Sequence, residues 1–392
     1  MDIQQESLEL HKKYKGKLET ASRVKIEDKH DLSLVYTPGV AAVSSYLASH
    51  KEETGNYTVK GHTVAVVSDG SAVLGLGNIG PEGALPVMEG KCVIFKHFAN
   101  IDAFPLVLST QNPDEIVQAV VAIAPSFGGI NLEDIKAPQC FQIEERLKKL
   151  LDIPVIHDDQ WGAAVAILAA LVNALKVAQK DLITARIVIS GAGAAGTAIT
   201  KILLAEGAKH ILVVDRMGIL YTGRSENSVE KEELALLTNP HNETGVLSDA
   251  LHNADVFVGV SGPGILKPEM ISTMAEKSII FALANPIPEI MPEEAKQAGA
   301  YIVGTGRSDY PNQINNALVF PGVFKGALEH KVTSITTEML LETAHNLAAL
   351  VTEPTPELII PSVFDDRVVP AICRAIHNQS IFSLKNEHEN GF

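Results

Sequence analysis

Cysteine is almost missing from this chain: Cys92, Cys140 and Cys373 are the only three in 392 residues, and they lie far apart. So few and so scattered, they exclude a disulfide framework and a cysteine-built zinc site, and fit reduced thiols in a cytoplasmic protein. Positive charge is also short. Thirty-two Lys and Arg face 47 Asp and Glu, a net charge of −15, which argues against nucleic acid or an anionic membrane as partner. The opening stretch, MDIQQESLELHKKYKGKLE, lacks an apolar segment, so no secretory signal is expected. Long apolar runs are lacking too: AAVAILAALV at 163–172 is too short to span a bilayer. What remains is an ordinary globular composition, 46% hydrophobic and 20% charged, at a length that suits two domains.

Two short stretches stand out against that background. GGINLEDI (128–135) places Glu133 and Asp134 after the apolar Phe127, Ile130 and Leu132. PVIHDDQWG (154–162) places Asp158 and Asp159 after Val155 and Ile156. Both read as buried strands that stop where the acids begin. In open α/β sheets ligands gather beyond the carboxyl ends of the strands. Several carboxylates delivered to that edge cannot remain ionised together without a cation, and their hard oxygens suit Mg²⁺ or Mn²⁺.

The rest of the chain reads as α/β. Residues 1–60 are mostly helical and polar. HTVAVVSDG then reads as a strand, PEGALPVMEG as a helix, and KCVIFKH and FPLVLS as further strands, followed by helices over 113–125 and 141–151. A nearly all-apolar helix over 160–178 marks the change of domain. The expected division is residues 1–160 for a substrate- and metal-binding α/β domain and 161–392 for a Rossmann-type domain with C-terminal helices at 336–351 and 368–379. Regular β-α-β spacing in the second half predicts a doubly wound parallel sheet.

GAGAAG, from Gly191 through Gly193, Ala194 and Ala195 to Gly196, lies between a predicted strand and a predicted helix. Gly191 suits the tight turn, Gly193 lets a pyrophosphate approach the backbone, and Gly196 lets the helix pack on the strand. Asp215 closes the next strand, where an acid binds ribose hydroxyls and favours NAD over NADP. Arg216 beside it offers a partner for the extra phosphate, so NADP stays possible.

Four further strings complete the pattern: VYTPGVA with Tyr36, LGLGNIGPEGALPVMEGK with Lys91, ANPIPE with Asn285, and NQINNALVFPG with Asn315 and Asn316. Together with LEDI, HDDQ and GAGAAG, over nearly the whole chain, they resemble the malic enzyme family in its compact bacterial form. The resemblance implies metal-dependent oxidative decarboxylation of L-malate to pyruvate and CO₂ with reduction of NAD, in a homodimer. It puts the metal ligands on Glu133, Asp134 and Asp159, the base on Lys91 and the acid on Tyr36. Asn285 and Asn315 then lie near the nicotinamide ribose and the substrate, with Asp158 as a ligand or as an orienter of the lysine.

The chemistry asks for such a set. The C2 hydroxyl must lose a proton to a base within hydrogen-bond reach, and a lysine serves only if its pKa falls toward neutrality. Plain roles remain open beside these: Tyr36 as a packed turn tyrosine, Lys91 as a solvated lysine, the acids as helix caps, and His157 as a packed strand-end histidine. Two residues depart from the family pattern. Ala72 stands where large-subunit relatives carry a substrate-gripping arginine, for which Lys96 or a neighbouring subunit is the expected substitute. Trp161 brings an indole to the metal edge, and keeps in view a metal-dependent oxaloacetate decarboxylase with little hydride transfer.

Overall fold

The structure is a computed structural model and describes residues 3–389. Its N-terminal arm contains helices α1 (Ile3–Tyr14), α2 (Lys29–Val35), α3 (Val40–Ser49) and α4 (Thr54–Tyr57), none with a buried residue. Asp28 starts α2 by accepting a hydrogen bond from the Asp31 amide.

The first sheet follows, in the order β2-β1-β3-β4 and wholly parallel. Its elements run β1 (Thr63–Ser68), α5 (Gly80–Ala99), β2 (Asp102–Val107), α6 (Pro113–Ile123), β3 (Gly129–Leu132), α7 (Gln139–Leu150) and β4 (Val155–His157). Successive β1 side chains alternate between two cores: Val64 and Val66 join the larger one, Ala65 and Val67 the one under α6 and α7. The expected strand KCVIFKH does not form. It is the second half of α5, because the buried set Ala84, Met88, Lys91, Cys92, Phe95 and Ala99 recurs every three or four residues. That period outweighs the local β preference of Val93, Ile94 and Phe95, and it turns Lys91 inward.

Helix α8 (Asp158–Ala178) starts immediately after β4, so the expected boundary at 160 falls within its first turn. The apolar run at 163–172 is only part of this helix. With 21 residues α8 is long and apolar enough to cross a membrane, yet 72% of its most apolar window is buried inside the protein. It is the core helix between the two sheets.

The second sheet contains β5 (Arg186–Ser190), α9 (Ala194–Glu206), β6 (His210–Asp215), β7 (Gly218–Ile219), α10 (Val229–Thr238), α11 (Leu247–Leu251) and β8 (Val256–Gly259). It continues through α12 (Pro268–Ile271), β9 (Ile279–Ala282), α13 (Pro292–Gln297) and β10 (Ile302–Thr305). The order is β10-β9-β8-β5-β6-β7, parallel except for the two-residue edge strand β7. The chain reverses direction across the sheet at β5, where a doubly wound sheet binds its ligand.

Helices α14 (Phe320–Glu329), α15 (Thr337–Ala348) and α16 (Val368–Glu389) return across both units. Phe320 and Phe324 of α14 meet Phe95 of α5 edge-on, with ring centroids 4.8 and 5.5 Å away. The largest core runs unbroken from β1 through α8 into β5 and β9.

Candidate active site

Both acid pairs emerge at the carboxyl edge of the first sheet. β3 ends at Leu132 and β4 at His157, so Glu133–Asp134 and Asp158–Asp159 leave adjacent strands side by side. One carboxylate oxygen from each of Glu133, Asp134 and Asp159 lies within 4.8 Å of the other two. Asp134 sits at φ 54°, in the left-handed region that Asp tolerates, and its amide donates to Asp159 Oδ2 at 2.8 Å. The loop after β1 folds over the pair: the Ala72 amide donates to the Asp134 carbonyl at 2.9 Å. Asp134 Oδ2 is buried without a hydrogen-bond partner.

Lys91 reaches this cluster from α5. Its ammonium donates to Glu133 Oε1 at 2.5 Å and to Asp158 Oδ2, and stands 4.4 Å over the Phe320 ring. Glu133 Oε2 accepts from the Asn131 side chain at 2.9 Å. Burial raises Asp134 to about 8, with Asp159 and Glu133 adding to the effect. Burial likewise raises Glu133 and Asp159, and lifts Asp158 to about 7 against the pull of the Lys91 ammonium. Burial works to deprotonate Lys91 itself, but Asp158, Glu133 and Asp159 outweigh it and hold its pKa above the ordinary lysine value. The lowered pKa that a lysine base requires is therefore not present in this arrangement, because three carboxylates surround the amine. A cation fits the trio on three grounds: it relieves the crowded negative charge, it fills the partnerless lobe of Asp134, and it meets hard oxygen donors only.

The second centre is a cleft of about 860 Å³ at the carboxyl edge of β5 and β6. Gly191 has φ 125°, and a Cβ there would press on the Val260 carbonyl. At Gly196 a Cβ would overlap the Gly191 carbonyl oxygen, whereas the space above Gly193 is open. Ala194 begins α9 and Ala195 follows it, so their amides head a helix whose positive end faces the cleft. Ala137, Pro138 and Phe141 of the first unit line the other wall, which places this cleft between the units.

Residues 15–148 match the family described as malic enzyme, N-terminal domain, and residues 160–380 match malic enzyme, NAD binding domain. This chain belongs to the malic enzyme family. The chain is 52% identical to the bifunctional malic/malolactic enzyme of Bacillus subtilis, across 96% of this chain and 92% of that one. It is 54% identical to the NAD-dependent malic enzyme of Geobacillus stearothermophilus, across 92% of this chain and 76% of the other. The solved structure of the NAD-dependent malic enzyme of Thermotoga maritima superposes with a TM-score of 0.91 at 53% identity, over 94% of this chain and 98% of that one.

The other family positions are placed unevenly. Asn285 follows β9 and abuts the loop after β1, where its carbonyl occupies the space a Gly75 Cβ would need. Asn315 spends its side-chain oxygen on the Ala317 amide at 2.8 Å, while Asn316 packs against Gly162 in the first turns of α8. Tyr36 is 68% exposed, on an arm of helices that contributes nothing to the buried core, and no hydrogen bond among the described residues joins it to the acid trio. Lys96 is not at the site. It pairs with Asp102 at the amino-terminal edge of the sheet, opposite the acids, so it cannot replace the missing arginine. The expected disturbance from Trp161 also fails to arise. Two residues beyond Asp159, it lies on another face of α8, and its indole donates to Glu144 of α7 at 3.0 Å. His157 is fully buried, and neither ring nitrogen has a hydrogen-bond partner.

Four residues escape a reading of the sequence. Asn131 orients Glu133 from within a strand. Glu289, fully buried, accepts from the Ser261 and Ala284 amides and so ties together the loops after β8 and β9. Arg224 and Lys231 both grip Asp215. Only Glu289 leaves a trace in the sequence, as an acid between the apolar Ile287 and Ile290.

Proposed function

We propose that this chain catalyses the metal-dependent oxidative decarboxylation of L-malate to pyruvate and CO₂ with reduction of NAD, as a cytoplasmic homodimer. The observation that carries the reading is the buried Lys91 ammonium held between Glu133 and Asp158, beside three carboxylates that suit one divalent ion. The division of labour follows the two sheets, residues 1–160 for metal and substrate and 161–392 for the nucleotide. Glu133, Asp134 and Asp159 would hold the ion. When bound, Mg²⁺ or Mn²⁺ supplies Lewis-acid stabilisation of negative charge on the substrate oxygens.

The chain's own groups handle the protons. Lys91 takes the C2 hydroxyl proton, which requires that the carboxylates around it be offset by positive charge so that burial can lower its pKa. Asp158, lifted to about 7 and in contact with the amine, can receive that proton and pass it on. Asn285 and Asn315 orient the nicotinamide end and the substrate from the second unit. After loss of CO₂, C3 of the enol must gain a proton, the role of the Tyr36 phenol.

That last role is what calls for a dimer. Leu32, Leu34 and Val35 of α2, Tyr36 immediately after it and Val43 of α3 are all more than one-third exposed, an apolar surface that a second copy would cover. In that arrangement Tyr36 of the partner subunit completes the site around Lys91. The test of the overall reaction is simple. With malate, Mn²⁺ and NAD, reduced nucleotide accumulates in step with pyruvate. Turnover of oxaloacetate alone, with no nucleotide reduced from malate, would replace this reading by a simple decarboxylase.

A further inference from the structure

Glu289 is a buried carboxylate that the proton transfers above leave without a role. Its side chain is wholly enclosed, with Oε1 accepting from the Ser261 amide at 2.9 Å and Oε2 from the Ala284 amide at 3.0 Å. Burial pushes its pKa above the ordinary carboxylate value, against the pull of these amides. An apolar side chain would fill the same space with no polar group to desolvate. What the acid adds is a bridge, one oxygen to each of two loops.

The two loops face different ends of the site. Val260, Ser261 and Gly262, after β8, line the cleft at β5 and β6. Ala284, after β9, precedes Asn285, whose carbonyl stands against Gly75 in the loop after β1. That loop in turn holds Asp134: the Ala72 amide donates to its carbonyl at 2.9 Å and the Leu74 amide to its Oδ1 at 3.3 Å. The main chain reinforces the first joint, where the Gly264 amide donates to the Pro288 carbonyl and the Leu266 amide to the Glu289 carbonyl, both at 3.1 Å. A continuous line of contacts thus runs from the wall of the cleft, through Glu289 and Asn285, to a carboxylate of the acid trio in the other unit.

We propose that Glu289 is a positioning residue that couples the two centres, so that a nucleotide in the cleft tightens the hold of Glu133, Asp134 and Asp159 on their ion; the inference rests on the nucleotide and metal roles proposed above. A nucleotide seated against Ser261 and Gly262 restrains the loop after β8. Glu289 passes that restraint to Ala284 and Asn285. The Asn285 carbonyl then steadies the segment that carries Gly75, Leu74 and Ala72. Asp134 is held in place before the ion arrives, and less freedom is lost when it binds. The coupling is reciprocal, so the ion tightens the nucleotide by the same factor.

Electron paramagnetic resonance of free Mn²⁺, during titration of the intact protein with and without saturating NADH, tests this. In wild type, NADH tightens Mn²⁺ binding by about fivefold or more. Glu289→Gln turns an amide nitrogen toward one of the two backbone N–H groups, donor against donor, and opens that joint. The effect of NADH then falls below about twofold, while each ligand alone binds within about threefold of its wild-type affinity. Gly75→Ala, on an exposed loop, drives a methyl against the Asn285 carbonyl and loses the coupling in the same way. This second variant decides the matter alone if Glu289→Gln does not fold. Independent binding of Mn²⁺ and NADH to wild type would overturn the proposal, as would a folded variant of either kind that keeps the coupling. Failure of wild type to bind NADH or Mn²⁺ at all would instead remove the nucleotide or metal role on which it rests.

Discussion

Lys91→Ala abolishes malate oxidation, with kcat falling by roughly 10³-fold, within the range expected for loss of a positioned acid–base group. NADH affinity stays near the wild-type value, because Lys91 belongs to α5 and the nucleotide cleft is built at β5 and β6. Truncation also strands the buried Glu133 and Asp158 without their cation, and breaking a buried pair costs about 3–5 kcal/mol of stability. A loss of activity could then reflect a loosened fold. Lys91→Arg separates the two effects, since guanidinium keeps the positive charge between the carboxylates and does not give up its proton. Both variants are inactive if the amine is the base, and Lys91→Arg keeps its thermal stability closer to wild type. A Lys91→Arg enzyme with most of its turnover would move the base elsewhere.

Tyr36→Phe and Lys91→Ala are each inactive alone, but the two co-expressed chains regain activity. A site that combines Lys91 of one chain with Tyr36 of the other is intact in one half of every mixed dimer. Random pairing makes about half the dimers mixed, so about a quarter of the wild-type sites return. If both residues served one site within a single chain, no mixture would contain an intact site. Activity per chain, measured across a range of mixing ratios, distinguishes these outcomes. The expectation rests on Tyr36 being 68% exposed, on an arm of four helices with no buried residue.

The acid trio and the glycine turn are legible in the sequence because each is a local signal with an unambiguous position. An apolar run that ends in two acids places those acids at a strand's end whatever the rest of the chain does. Gly196 answers the Gly191 carbonyl five residues back and Gly191 its own φ of 125°, with Val260 the one distant partner of both. KCVIFKH misleads for a related reason. Val93, Ile94 and Phe95 favour a strand over three residues, while the helical period that decides the matter spans Ala84 to Ala99. Lys96 is misplaced with it, since its location at the far edge of the sheet follows from where α5 ends.

Long-range electrostatics leaves even less trace. Arg224 and Lys231 reach Asp215 across a β turn and a loop, 9 and 16 residues on, at no spacing that a helix or strand imposes. Trp161 is conspicuous by type alone, and its partner Glu144 lies on a different helix. The elevated pKa of Lys91 is a property of three carboxylates drawn together from the loop after β3 and the first turn of α8, visible only once the chain is folded.

Diffraction from Mn²⁺-soaked crystals at the manganese absorption edge tests most directly whether these carboxylates share an ion. A shared site requires one strong anomalous peak per chain, with oxygens of Glu133, Asp134 and Asp159 at about 2.0–2.6 Å, and its disappearance in Asp159→Ala. A peak held by other residues, or none at saturating Mn²⁺, would contradict it.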